Sequence, residues 1–173
     1  MADHATSSPP APQRILVRGV NWLGDAVMTT PALRRLREKF PAAHISLLTQ
    51  EKLAGLWQAH PGIDAVINFT RGESIWQVAG RLRAGEFQLG IALPNSARSA
   101  LELWLARIPH RLGYGGGARN LVLTQVVRRR VGALQMRKRS DAEIRRLIKS
   151  GDAASHERAL ATDHHIHHYL HLL

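Results

Sequence analysis

Several groups of residues in this chain have types and spacings that could do chemistry. The most informative lies in RILVRGVNWLGDAVMTTPAL, where Gly19 and Gly24 bracket a short loop and Asp25 opens a helical pattern expected to start near Ala26. The separation of the two glycines matches that of a phosphate-binding P-loop, but Asp25 and Ala26 stand where Lys and Ser/Thr would have to be. A carboxylate there repels phosphate, and no G-x-G-x-x-G follows the strand, so both the NTPase and the dinucleotide-binding readings fail. Asp25 is then either a helix-capping residue, meeting the free N–H groups and the positive end of the dipole, or a general base at a cleft. The roles are compatible, because a helix N-terminus keeps a carboxylate ionised while making it a weaker base. Trp22 has two readings as well: an aromatic face stacked on a sugar, or a core tryptophan.

A second group, LPNSARS, places Asn95, Ser96, Arg98 and Ser99 after an apolar run. Asn95 and Ser96 could hydrogen-bond sugar hydroxyls, and Arg98 could meet a phosphate or carboxylate through its planar fork. The plainer alternative is that Asn95 or Ser96 caps the following helix and Arg98 is solvated. Gly113, Gly115, Gly116 and Gly117 form a third group, a loop whose N–H groups could cradle an anion with Arg111 and Arg119 adding charge, or a turn without ligand. In the tail, His164/His168 and His167/His171 have the i, i+4 spacing of metal ligands, but no HExxH glutamate accompanies them. A surface helix is the preferred reading, with Ile166, Tyr169, Leu170 and Leu173 as its buried stripe, and no metal site is expected.

The elements that must position these residues follow from periodicity. Apolar runs of five to seven residues alternate with longer helical patterns: ILVRGV, HISLLTQ, IDAVINF, QLGIALP and HRLGYG are separated by AVMTTPALRRLREKF, EKLAGLWQAH, SIWQVAGRLRAG and SARSALELWLARI. Such alternation predicts βαβ units and an α/β, doubly wound parallel sheet with helices on both faces. The loop from Val20 to Asp25 and the segment LPNSARS then fall at the carboxyl ends of strands, where open α/β sheets bind ligands. Residues 1–13, rich in Ser, Pro and Ala, are expected to be a disordered leader, with the domain spanning 14–127. A basic linker and short helix, 128–151, is expected to follow; within it Ser140 and Glu143 have the capping-box spacing. The His-rich helix, 152–173, is expected to lead out of the domain.

Lys and Arg total 24 against 13 acidic residues, a formal charge of +11, which favours anionic partners. Residues 128–150 hold nine basic and two acidic side chains, so this stretch supplies seven of the eleven net charges. A nucleic-acid-binding reading rests on that stretch; the aromatic content of 5% and the lack of any recognised nucleic-acid module speak against it. Cysteine is absent, which removes disulfides, thiolate metal sites and cysteine nucleophiles, and fits a reducing compartment. With no signal-peptide run and no spanning-length apolar window, the expected location is cytoplasmic, with peripheral membrane contact open through the basic stretch.

RILVRGVNWLGDAVMTTPALRRLREKFP, HPGIDAVINF and IALPNSARSALELWLARIPHRLGYGGGARN together resemble, in order and spacing, the lipopolysaccharide heptosyltransferases, and are most similar to the heptosyltransferase II branch. The resemblance runs strongly from Arg14 to about Asn120 and weakly through HHIHHYLHLL. It implies one Rossmann-like half of a GT-B glycosyltransferase, with the acceptor, a phosphorylated Kdo-lipid A carrying heptose, held mainly by this half. It further implies an ADP-heptose donor held mainly by a second half, no other cofactor, and inverting transfer with Asp25 as the matching proposed base. Trp22, Gly24, Asn95, Ser96, Arg98 and Arg119 are the acceptor-side candidates. The donor half's motifs are not in this sequence, so a non-catalytic interaction fragment is the further alternative.

Overall fold

The computed structural model describes residues 11–128 and 165–173; the expected leader up to residue 10, the basic stretch beyond Arg128 with its Ser140 capping box, and His164 lie outside the described residues. Six strands form one sheet: β1 (Arg14–Arg18), β2 (His44–Gln50), β3 (Ala65–Phe69), β4 (Leu89–Ala92), β5 (His110–Tyr114) and β6 (Gln125–Val127). Their order is β3-β2-β1-β4-β5-β6 and each neighbouring pair is parallel. The expected doubly wound α/β class is therefore what the chain forms. Chain order runs one way from β1 to β3 and the other way from β4 to β6, so the switch point lies between β1 and β4. Loops that leave these two strands diverge there and open a crevice at their carboxyl ends.

Helices cover both faces, as a parallel sheet requires. On one side α1 (Leu23–Lys39) and α2 (Ala54–Trp57) pack over the sheet, and α3 (Ile75–Arg83) and α4 (Ala97–Leu105) pack over the other. The central strands are buried on both faces: Ile15 and Val17 belong to one cluster with Ala26, Leu33 and Leu36 of α1, while Leu16 joins Val78, Leu82 and Leu103 on the opposite side. A last helix, α5 (Ile166–Leu172), docks on α1 and sends Tyr169 and Leu172 into the first cluster. Leu170 and Leu173 pack at its margin, so the buried pair differs from the expected stripe by including Leu172.

Two local outcomes depart from the sequence expectations. The segment Glu51–Trp57 makes one 3-10 turn followed by a single α-helical turn, not a helix of ten residues. Helix α1 begins at Leu23, three residues before the expected Ala26, and continues through Pro31. Proline lacks the N–H that would bond the carbonyl four residues back, which is that of Val27. The Thr30 hydroxyl supplies the replacement, donating to the Val27 carbonyl at 2.8 Å. Thr30→Val should therefore cost ~0.5–1.5 kcal/mol of stability, a neutral hydrogen bond's worth, as read from denaturant midpoints. No loss in that variant would show that water satisfies the carbonyl equally well.

Candidate functional site

The crevice is built from the ends of β1, β4 and β5 and from α5. At the end of β1, Arg18 turns inward and is almost wholly buried, as is Glu102 on α4. Arg18 Nε lies 2.8 Å from Glu102 Oε2, its Nη1 donates to the Gly19 carbonyl and, at 2.9 Å, to Asn21 Oδ1, and its guanidinium lies 4.5 Å from the Phe69 ring centroid. The second Glu102 oxygen accepts from Arg98 Nε at 2.9 Å. Burying a charged pair requires partners for the remaining polar atoms, and this arrangement provides them. Its effect is to tie the loop between β1 and α1 to a helix on the other side of the sheet. Neither Arg18 nor Glu102 stood out in the sequence, because nothing in their spacing shows that β1 and α4 meet.

Beyond that loop, α1 is entered through Trp22, whose extended backbone makes it the N-cap residue, with no side-chain cap bond. Asp25 is the third residue of the helix, in its first turn. The capping expectation is thus corrected: Asp25 meets the positive end of the dipole and does not occupy the cap. It is half-buried at the crevice. On α5, which packs on α1, burial and, secondarily, the charge of Asp25 hold the Tyr169 phenol well above its usual range.

Trp22 is 72% exposed, which excludes the core reading; Lys52 Nζ lies 5.6 Å from its ring centroid. Gly24 is exposed, and a Cβ built on it would meet nothing within 4 Å. No packing within the described residues requires glycine here, where alanine would favour the helix by ~0.5–1 kcal/mol.

Across the crevice, after β4, Asn95 is exposed and joined to two other elements. Its Oδ1 accepts from Arg119 Nη1 at 3.2 Å, and its Nδ2 lies 3.5 Å from His168 Nε2 on α5. The His168 ring stacks on Tyr114 of β5 with centroids 4.0 Å apart, and the Tyr114 hydroxyl donates to the His168 carbonyl. Asn95 thus meets the buried Arg119 and His168 of α5, and α5 packs on α1, the helix that carries Asp25. An amide has four hydrogen-bonding positions, so Asn95 retains capacity toward a ligand beyond these two contacts.

Other candidates take structural roles. Ser96 is the N-cap of α4, its hydroxyl accepting from Ser99 N at 3.2 Å, which is the plainer of its two readings. The Arg98 side chain remains partly solvated, and its fork is engaged within the protein, donating to Glu102 and, at 2.7 Å, to the Glu73 carbonyl. The glycine cluster is not an open anion cradle: Gly113 lies within β5, Gly115 N donates to the Val127 carbonyl and Gly116 N to Asn120 Oδ1. Arg111 is committed to carbonyls of Val122 and Ile108, while Arg119 is buried against Gly113, where a Cβ would lie 3.0 Å from Arg119 Nη2. Glycine in β5 is what lets the arginine lie flat on the strand. His168 was legible only as part of an amphipathic helix, and its place beside Asn95 follows from α5 folding back onto α1.

Among the described residues no group of three or more His, Cys, Asp or Glu could hold a metal ion, and no helix is long and apolar enough to cross a membrane.

No family model matches the chain. Among characterised proteins, the lipopolysaccharide heptosyltransferase 2 of Escherichia coli K12 is 31% identical over 119 residues, covering 65% of this chain and 34% of that protein. The lipooligosaccharide heptosyltransferase 2 of Haemophilus ducreyi is 29% identical over 118 residues, with the same coverage of 65% and 34%. The chain thus spans about a third of the length of the relatives it matches. Among solved structures, E. coli ADP-heptose LPS heptosyltransferase II superposes with a TM-score of 0.60 at 24% identity, over 82% of this chain and 51% of the other. A glycosyl transferase family 9 protein from Veillonella parvula gives a TM-score of 0.63 at 24% identity, over 83% and 42% respectively. These structures share the fold.

Proposed function

We propose, for a chain that is a relative of the lipopolysaccharide heptosyltransferases by sequence and shares their fold, that this domain is the acceptor-holding half of a heptosyl-transfer site. The observation that supports the reading is that the segments following β1 and β4, which hold Asp25 and Asn95, leave from the two sides of the switch point, while α5 packs on α1 and brings His168 to 3.5 Å from Asn95. In the proposed reaction the Asp25 carboxylate takes the proton from a hydroxyl of the acceptor heptose. That oxygen attacks the anomeric carbon of ADP-heptose, the bond to ADP breaks with its electron pair, and the anomeric centre inverts. Asn95 orients the sugar, Arg119 and His168 hold Asn95, and Gly24 leaves the backbone beside Asp25 open to close approach. Ser96 and Arg98 serve the reaction through the loop and helix that they fix. ADP-heptose and a phosphorylated, heptose-bearing inner-core lipid are the proposed substrates.

Calorimetric titration of the chain with a phosphorylated, heptose-containing inner-core oligosaccharide, and separately with ADP, tests this assignment. The oligosaccharide should bind more tightly than ADP, and Asn95→Ala should weaken it by about threefold to tenfold, the range of a neutral hydrogen bond. Preference for ADP, or no saccharide binding, would remove the acceptor-side assignment.

A further inference from the structure

Asn95 stands between a group that can only donate and a ring whose role depends on where its proton sits. Arg119 Nη1 lies 3.2 Å from Asn95 Oδ1, and a guanidinium has no lone pair to offer, so the amide oxygen is the atom that must face it. The amide nitrogen is thereby turned toward α5, where Nδ2 lies 3.5 Å from His168 Nε2. An amide NH2 only donates, so this contact is a hydrogen bond only while Nε2 carries a lone pair and the ring proton sits on Nδ1. Packing sets the ring itself. It stacks on Tyr114 with centroids 4.0 Å apart, and the Tyr114 hydroxyl donates to the His168 carbonyl, which anchors the helix at that residue. On α5 itself, His165 and Tyr169 meet the ring edge-on, with centroids 5.2 and 5.5 Å away. His171 stacks on Tyr114 at 6.3 Å, and α1, packed on α5, carries Asp25 in its first turn and Lys39 in its last.

We infer, resting on the acceptor-side reading above, that His168 is a positioning residue: its unprotonated Nε2, together with Arg119, fixes the sense in which the Asn95 amide faces an acceptor sugar. With Oδ1 turned to Arg119 and Nδ2 to His168, one N–H and one lone pair remain. That pair suits neighbouring sugar hydroxyls, of which one accepts and the other donates. A phosphate dianion only accepts, so it would meet the lone pair as well as the N–H. The amide therefore selects the hydroxyls of the acceptor and not its phosphate. When the ring takes a second proton, Nε2 becomes a donor facing a donor, and the amide loses its fixed sense. Saccharide affinity is thus held above the pH at which His168 titrates and falls below it.

The test reads the ring and the saccharide separately, on the full chain. Long-range nitrogen–proton correlation spectra at neutral pH, without ligand, should show His168 with Nδ1 protonated and Nε2 bare; a proton on Nε2 overturns the inference whatever the saccharide does. In calorimetry with the phosphorylated, heptose-containing inner-core oligosaccharide, His168→Ala should bind about threefold to tenfold more weakly than the parent, the range of a neutral hydrogen bond. The dephosphorylated oligosaccharide should suffer the same loss. His168→Gln offers an amide oxygen that can accept from Asn95 Nδ2 but does not titrate, so it should stay within about twofold of the parent and lose the parent's fall in affinity at acid pH. Tyr114 bonds the backbone of residue 168, so both variants keep that anchor, and an unchanged thermal midpoint would confirm it. Parent-like affinity in His168→Ala, an acid fall that survives in His168→Gln, or a loss confined to the phosphorylated saccharide overturns the inference. Failure of the acceptor-side reading looks different: the parent then binds no saccharide, while the bare Nε2 and shifted Asn95 side-chain amide resonances in His168→Ala still show the amide held by the ring.

Discussion

With this domain joined to a donor-binding half, Asp25→Asn is expected to lower heptosyl transfer by about two orders of magnitude or more, the usual scale for loss of a general base. Asn is close to isosteric with Asp, and the cap of α1 is made by the Trp22 backbone, so no cap bond is lost. The remaining structural cost is the interaction of the carboxylate with the helix dipole, ~0.3–1 kcal/mol for a group in the first turn. Activity and stability therefore separate: thermal midpoint and acceptor affinity should stay near the parent's while single-turnover transfer collapses. Turnover retained by the Asn variant, with chemistry shown to be rate-limiting, would leave Asp25 as a helix-dipole residue and send the search for the base elsewhere in the crevice. Asp25→Ala is less informative, since it removes carboxylate and side-chain polarity together.

Glu102→Ala is expected to be the most destabilising single change in the described residues, at ~3–5 kcal/mol, because it leaves the buried Arg18 guanidinium without its carboxylate. Arg18 is 2% exposed and Glu102 is 0% exposed, so neither can recover solvation without opening the core. Glu102→Gln should lose less, since the amide oxygen still accepts one bond of the two that Arg18 and Arg98 now make. Arg98→Ala, at a side chain 44% exposed, should cost no more than ~1 kcal/mol. Urea unfolding of the three variants checks this ordering. Equal midpoints for Glu102→Ala and the parent would show that Arg18 finds a substitute partner, and the coupling of the β1 loop to α4 would have to be abandoned. Where the ordering holds, the Gly19–Asn21 loop should also lose hydrogen-exchange protection in Glu102→Gln, since Arg18 is what grips it.

Much of the architecture was legible in residue order. Runs such as ILVRGV and HISLLTQ are apolar without alternation, as strands buried on both faces must be, and helical periods between them require parallel crossovers. From these alone the carboxyl-end loops, with Asp25 and Asn95 in them, were expected at a cleft. Less legible were features where a local rule met a compensating side chain. Pro31 forfeits one backbone hydrogen bond within its helix, and only the structure shows the adjacent Thr30 hydroxyl donating to the Val27 carbonyl left over. Ser96 and Arg98 could serve a ligand or the fold, and spacing does not choose between them.

Two determinants were set at different levels. Sequence by itself determined the doubly wound class, five of the six strands, and Asp25 at the start of the first long helix, because backbone period and apolar patterning are local properties that hold wherever the segment lies. Tertiary structure alone decided which distant groups meet: Arg18 with Glu102 across the sheet, Asn95 with Arg119 and His168, and Tyr169 on a helix packed against that of Asp25. Those pairs are separated by 84, 24, 73 and 144 residues. Their meeting depends on strand order and on α5 returning to α1, and both are fixed by which apolar faces must be buried together.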